Sequence, residues 1–193
     1  MQSEQEVRRA DKQIAKPSNK VLGKPIKALI STNYTMGDLF PLGAGMGRIT
    51  GTLIVLKRHS GAMELSELAD EVEEEIDDLL PVIEACKLLK FVAIKGPMVK
   101  LTPLGTEVTV GNSRRMIREA LPKLEPFRTA LQVIDSSEIT SDELLKDLHS
   151  RRIVIHGDRA TNDALLKKML IRLGVRSKLL RYSPSTDTWS KRS

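Results

Sequence analysis

The hydrophobic positions of the first half recur every three or four residues in three consecutive stretches, a spacing typical of amphipathic helices. The stretches cover residues 48–57, 64–72 and 76–89. Ser60-Gly61 separates the first two, as expected where a helix ends. The side chains predicted to face a core are Ile49, Leu53, Ile54 and Leu56 in the first stretch, Leu65, Leu68 and Ala69 in the second, and Ile76, Leu79, Leu80, Ile83 and Cys86 in the third.

Pro81 lies inside the third stretch, where a proline would remove a helical hydrogen bond. We therefore place the N-cap of this helix at Asp78. Pro81 then falls within the first turn, where its missing N–H has no helical partner.

Residues 91–101 change to an alternating pattern, which is typical of strands. Val92 and Ile94 precede a Gly96-Pro97 turn, and Val99 and Leu101 follow it. This pattern predicts a hairpin. Two helices and a hairpin after an earlier helix form the element order of a winged helix.

The second half repeats this order of elements without a close sequence repeat. Pro126 is expected within the first turn of one helix, and Gly174 at the C-terminal end of the last. The predicted elements are helices over 112–121, 124–134, a third capped by Thr140 or Ser141 and ending at Leu148, a fourth capped by Thr161 or Asn162 and ending at Leu173, and a hairpin of residues 178–182 and 188–190. In the last helix the predicted inward residues are Leu165, Leu166, Met169, Leu170 and Leu173.

The fold class predicted from these patterns is mainly α-helical with small β hairpins (α+β), arranged as tandem winged-helix units, each a helix-turn-helix followed by a wing. Residues 1–24 are polar and predicted to be a mobile basic tail. The other predicted segments are a loop-rich lead-in over 25–46, a first winged helix over 47–111, and a connecting helix with a second winged helix over 112–193.

Charge separates the two predicted units. The chain has a formal net charge of +6. Acidic residues dominate 64–90, whereas basic residues dominate 151–193 and the first 63 positions. A phosphate backbone would be repelled by the first unit and attracted by the second, although solvated surface faces would also explain both patches.

Two groups of charged residues are candidate binding sites. The basic candidates, expected on the outer side of the last helix and its wing, could lie along phosphates; they are Lys167, Lys168, Arg172, Arg176, Lys178 and Arg181. Asn162 is a candidate base-reading residue, and Tyr182 or Trp189 could either stack on a base or cover the core. The acidic turn could instead dock a basic protein partner; its residues are Glu73, Glu74, Glu75, Asp77 and Asp78.

We find no pattern of a catalytic or cofactor site and predict a non-enzyme without cofactor or metal. The glycine-rich segment before residue 48 lacks the Walker A spacing, and Arg48 stands in place of its lysine. The three histidines are scattered, and the EF-hand spacing is absent from the acidic turn. Cys86 lies on an apolar helix face, where core packing is expected. One cysteine forms no internal disulfide, and no apolar run reaches membrane-spanning length, so we expect a cytoplasmic protein without membrane insertion.

Several motifs resemble a known family, the AAA-associated C-terminal domain. They are Gly47-Arg48-Ile49-Thr50-Gly51, Glu67-Leu68-Ala69-Asp70-Glu71, Asp77-Asp78-Leu79-Leu80-Pro81-Val82-Ile83-Glu84-Ala85, Leu88-Leu89-Lys90-Phe91 and Leu101-Thr102-Pro103-Leu104-Gly105. That domain follows the ATPase in ATP-binding subunits of nitrate/sulfonate/bicarbonate-type ABC transporters. Beyond residue 110 only the order of elements supports the resemblance.

The resemblance implies a winged-helix fold and a regulatory or docking role, here free-standing without the ATPase. Two functions therefore compete. The chain is either a regulatory protein that binds nucleic acid through its basic end, as in transcription regulation, or a module that docks an ATPase or another protein through the acidic turn. Homodimerisation through the helices of residues 112–136 fits either function.

Overall fold

The computed structural model describes residues 39–135, 137–155 and 158–192. The predicted basic tail, 1–24, and most of the predicted lead-in, 25–38, lie outside the described residues. The first described residue is Leu39, within the last part of the lead-in.

The first half contains four helices and three strands in the described chain. In order they are α1 (Met46–Arg58), β1 (Ala62–Glu64), α2 (Leu65–Glu71), α3 (Ile76–Leu88), β2 (Val92–Lys95), β3 (Met98–Leu101) and α4 (Pro103–Glu107). Ile49, Leu53 and Leu56 bury the inner side of α1, as predicted, whereas Ile54 is only half-buried. In α3 the buried set includes Val82 and Ala85 rather than Ile76 and Leu80.

The second half follows with the same kinds of element. They are α5 (Ser113–Ala120), a 3-10 turn (Leu121–Lys123), α6 (Phe127–Val133), β4 (Ile139–Thr140), α7 (Ser141–Ser150), α8 (Arg159–Met169), a π-helical turn (Leu170–Val175), β5 (Leu180–Ser183) and β6 (Thr188–Lys191). Thr140 is the N-cap of α7, one of the two caps predicted, and forms a capping box with Glu143.

Each half builds one three-stranded antiparallel sheet, with orders β1-β3-β2 and β4-β6-β5. The two predicted hairpins form the pairs β2–β3 and β5–β6, in which Ile94 opposes Val99 and Tyr182 opposes Trp189. The sequence did not reveal β1 and β4. They are three and two residues long, too short for an alternating pattern.

A mainly α-helical fold with small hairpins is confirmed. The order helix, strand, helix, helix, hairpin recurs in both halves and favours the winged-helix class, which stays a prediction.

The buried apolar residues of both halves form one connected cluster. Phe40 belongs to this cluster, and its ring makes an edge-type contact with the ring of Phe127 at 5.8 Å between centroids. Its backbone N–H donates to the carbonyl of Glu125 at 2.7 Å. The segment just before α1 is therefore bound to the start of α6.

Two predicted helix starts before the last helix are wrong. The hydrogen bonds of α3 begin at Glu75, whose carbonyl accepts from the N–H of Leu79 at 3.0 Å. Glu75, not Asp78, is thus the N-cap, and Pro81 lies inside the helix. The helix predicted from residue 124 begins at Phe127, with Pro126 as N-cap after a cis peptide bond.

The helices proposed for homodimerisation bury apolar side chains in the core of the chain itself. Met116, Ile117, Leu121, Phe127 and Ala130 are all buried in the core cluster. The homodimer stays a prediction. No helix within the described ranges has the length and apolarity needed to cross a bilayer.

Candidate nucleic-acid interface

The last helix begins three residues earlier than predicted. The carboxylate of Asp158 accepts from the N–H of Thr161 at 2.9 Å, which makes Asp158 the N-cap. Asn162, one of the two predicted caps, is fully buried: its side-chain oxygen accepts from the N–H of Ile155 at 2.6 Å. Asn162 therefore holds the preceding loop and does not face outward to read a base.

The helix continues as a π-helical turn and reverses direction after Gly174. A Cβ atom at Gly174 would lie 2.9 Å from Cδ1 of Leu180. Gly174 therefore packs closely on β5 near the end of the helical region, as predicted for its position, but without the positive φ of a helix-terminating glycine. The left-handed residue that ends this region is Lys178, with φ of 65°.

Five of the six predicted basic residues form an exposed basic face, defined by Lys168, Arg172, Arg176, Lys178 and Arg181. Their side chains make no hydrogen bond or ion pair with any residue that the structure describes. The same helical region is buried against the core through Leu166, Met169, Leu170 and Leu173. Leu165, which we predicted to point inward, is only half-buried.

Lys167, the sixth predicted residue, is engaged within the fold. Its Nζ lies 2.6 Å from the carboxylate of Asp187 in the β5–β6 turn and 5.2 Å from the ring centre of Tyr182. The same Asp187 oxygen accepts from the hydroxyls of Ser141 at 2.7 Å and Tyr182 at 2.6 Å. This Asp187 cluster joins α7, α8 and the last hairpin.

The Asp187 cluster shifts two ionisations in opposite directions. Hydrogen bonds from Lys167, Tyr182 and Ser141 hold the pKa of Asp187 well below its usual range. The hydrogen bond to Asp187 raises the pKa of Lys167. Both shifts favour the charged pair at neutral pH.

The two aromatic residues of this hairpin belong to the core. Trp189 is 1% exposed, and its indole N–H donates to the Ser141 hydroxyl at 2.8 Å. The ring centre of Tyr182 lies 4.5 Å from that of Trp189. Of the two roles considered for these residues, covering the core is therefore the one observed.

A cleft of about 150 Å³ opens beside the basic face. One wall is the segment of residues 41–44, and the other is Leu165, Met169 and Leu173 of the last helix. Lys168 and Arg172 are its charged lining residues. Sequence patterns do not indicate this cleft, because its walls lie more than 100 residues apart in the chain.

The acidic turn is organised by Arg48, a residue noted in the sequence only for its place after the glycines. The Arg48 guanidinium pairs with Glu74, and it donates to the carbonyls of Asp78 at 2.7 Å and Gly43 at 3.2 Å. Glu74 is thus partly neutralised. The carboxylates of Glu73, Glu75, Asp77 and Asp78 are exposed and make no ion pair with the described residues.

Other candidate chemistry is accounted for by packing. Burial raises the pKa of the Cys86 thiol to about 12, so the thiolate nucleophile is scarce at neutral pH. His149 near the end of α7 lies 2.6 Å from the carboxylate of Asp163 in α8. Within the described residues, no group of three or more His, Cys, Asp or Glu side chains is placed to hold a metal ion.

The fold and these surfaces define a mainly α-helical module with a small sheet in each half. A family model described as the C-terminal AAA-associated domain matches residues 66–182, more than half of the chain. The chain belongs to this family.

The family match confirms the resemblance found in the sequence, including the part past residue 110 that only the order of elements supported. The motif of residues 47–51 lies outside the matched range. Searches among curated proteins and among solved structures find no match.

Proposed function

We propose that this AAA-associated domain is a non-enzymatic regulatory module that binds nucleic acid through its basic face. The observation that carries the proposal is the set of five exposed cations, from Lys168 to Arg181, that have no partner among the described residues. A single cysteine and the lack of an internal disulfide fit a cytoplasmic location.

The spacing of these cations suits a polyanionic strand. Lys168, Arg172 and Arg176 are exposed at intervals of four residues, from the end of α8 through the π-helical turn to its C-cap. An extended run of exposed cations can lie along a phosphate backbone. Lys167 supports this face indirectly, because its pair with Asp187 fixes the last hairpin to the helix.

The proposal is tested by fluorescence anisotropy with a labelled random duplex and a structured RNA at two salt concentrations. The wild-type chain should bind at least one of them, and binding should weaken steeply with salt. The triple variant Lys168→Glu, Arg172→Glu and Arg176→Glu should abolish it.

A matched control keeps the same change in net charge. Arg114, Arg115 and Arg118 are exposed on α5, a helix that contributes no residue to the basic face, and their triple replacement by Glu should retain most of the affinity. Equal loss in the two triple variants would mean that binding depends on net charge alone and would contradict the site.

A second candidate function is docking of a basic protein, such as an ATPase partner, by the acidic turn. It is favoured by the four exposed carboxylates of Glu73, Glu75, Asp77 and Asp78, which no described side chain pairs. The variant with the corresponding amides at these positions should lose a partner that wild type retains in a pull-down. Amides at Glu138 and Asp142, which are also exposed, serve as control.

A further inference from the structure

We infer that the cleft beside Lys168 and Arg172 receives an unpaired base, so that the basic face prefers single-stranded nucleic acid to a duplex. This inference rests on the proposed function and names its ligand more closely.

The chemistry of the cleft is divided between an apolar floor and a cationic edge. Leu165, Met169 and Leu173 present apolar side chains toward residues 41–44. Lys168 and Arg172, both exposed, are the charged groups next to this floor. A ligand that fills it should therefore join a flat or apolar group to neighbouring negative charges.

A nucleotide with its base turned out of the stack combines these two properties. Extruded bases are held between aromatic or apolar side chains, while cations track the phosphates of a single strand. The cleft volume of about 150 Å³ is comparable with one base and below the roughly 300 Å³ of pockets for larger ligands.

A duplex offers the same phosphates but keeps its bases stacked and paired inside. Inserting one of them into the cleft would require unpairing, which costs a few kcal/mol. The basic face alone would bind either form, whereas the cleft adds affinity only for an unpaired base. The cleft therefore predicts the preference for single strands.

The experiment compares a fluorescent oligothymidylate with an abasic strand of the same length at fixed salt. The abasic strand retains every phosphate and lacks only the bases. We expect the oligothymidylate to bind about fivefold tighter, the lower end of the gain for a base on an aromatic side chain, because the apolar walls of this cleft are aliphatic.

Two variants assign this difference to the cleft. Leu165→Ser removes one apolar wall at a half-buried position outside the core cluster. It should bring the affinity for oligothymidylate down to that for the abasic strand, with the abasic affinity unchanged. Ala164→Ser, at the exposed neighbouring position, should change neither affinity, and Lys168→Gln should weaken both.

The outcomes separate the two proposals. Equal, salt-sensitive binding of both strands would overturn the base cleft while supporting the basic face. Absence of binding to every nucleic acid would overturn both. Binding of an acidic, leucine-containing peptide that is lost in Leu165→Ser, without nucleic-acid binding, would assign the cleft to a protein partner instead.

Discussion

The fold leaves no room at position 105 for a side chain larger than the hydrogen of glycine. A Cβ atom built on Gly105 would lie 1.9 Å from the carbonyl oxygen of Phe91, far inside van der Waals contact. This carbonyl also accepts from the N–H of Thr102 at 2.9 Å, so it is held in place. The glycine of the motif at residues 101–105 therefore lets the chain after β3 pack on the start of β2.

Replacing Gly105 by alanine should destabilise the fold by about 3 kcal/mol or more, because rigid backbone must move to relieve the overlap. Urea denaturation followed by circular dichroism measures the change. Gly51→Ala is the matched control. It lies in the interior of α1 with nothing near its Cβ direction, and should stabilise by about 0.5–1 kcal/mol. Similar midpoints for the two variants would contradict the steric account.

The Asp187 cluster makes a second prediction, about pH. The folded-state pKa of Asp187 is depressed, so its contribution to stability is complete above the ordinary aspartate pKa of about 3.9. That contribution is lost as the pH falls through the folded-state pKa. For Lys167 the pKa is raised, so its contribution is lost only in strongly alkaline solution.

Asp187→Asn should therefore lower the urea midpoint at pH 7 and reduce the further loss of stability between pH 5 and pH 2. The physical reason is that the amide carries no charge for Lys167 to stabilise. Asp70→Asn, at an exposed position, should keep the acid-dependent loss of wild type. A wild-type acid response in Asp187→Asn would show that the cluster contributes little.

At the scale of elements, the sequence correctly predicted structure that depends on neighbouring residues. The Gly96-Pro97 turn and its alternating flanks placed β2 and β3 correctly. The features that were missed depend on contacts outside each apolar pattern, some of them local and some distant. Asp158 caps α8 from a position before the first apolar residue of that helix. Lys167, predicted to bind phosphates, instead pairs with Asp187, twenty residues further along the chain.

The cap of α7 offers a test at this scale. The Thr140 hydroxyl accepts from the N–H of Glu143, whose carboxylate accepts in return from the N–H of Thr140. Thr140→Ala should cost about 1 kcal/mol, the usual value for an N-cap. Thr161→Ala changes a helical threonine whose hydroxyl is no cap, and should leave stability nearly unchanged. An equal loss in both variants would contradict the capping role.

At the scale of the whole molecule, charge is divided between an acidic stretch, residues 64–90, and a basic end, residues 151–193. Sequence counts alone predicted this division, and they predicted the exposure of five of the six basic residues. The cleft and the Arg48–Glu74 pair could not be predicted, because each joins residues that are distant in the sequence. The cleft joins residues 41–44 to the last helix, and Arg48 is 26 residues from Glu74.

The number of cations on the basic face predicts how strongly nucleic-acid binding depends on salt. Five phosphate contacts on a single strand correspond to a slope of log affinity against log salt of about −3.5. Arg176→Gln should make this slope shallower by about 0.7, since one contact is removed. Arg118→Gln on α5 should leave it unchanged. Anisotropy titrations across a salt series measure both slopes, and an unaltered slope in Arg176→Gln would remove that residue from the interface.

The position of Phe40 has a consequence for the boundaries of the family. Its fully buried ring packs on Phe127, although both it and α1 precede residue 66, where the family match begins. Trp189, equally central to the second half, follows residue 182, where the match ends. A fragment of residues 66–182 would lack Phe40 and Trp189 and would expose the apolar side chains that they cover. The range matched by the family is thus shorter than the stretch that supplies the core of this chain.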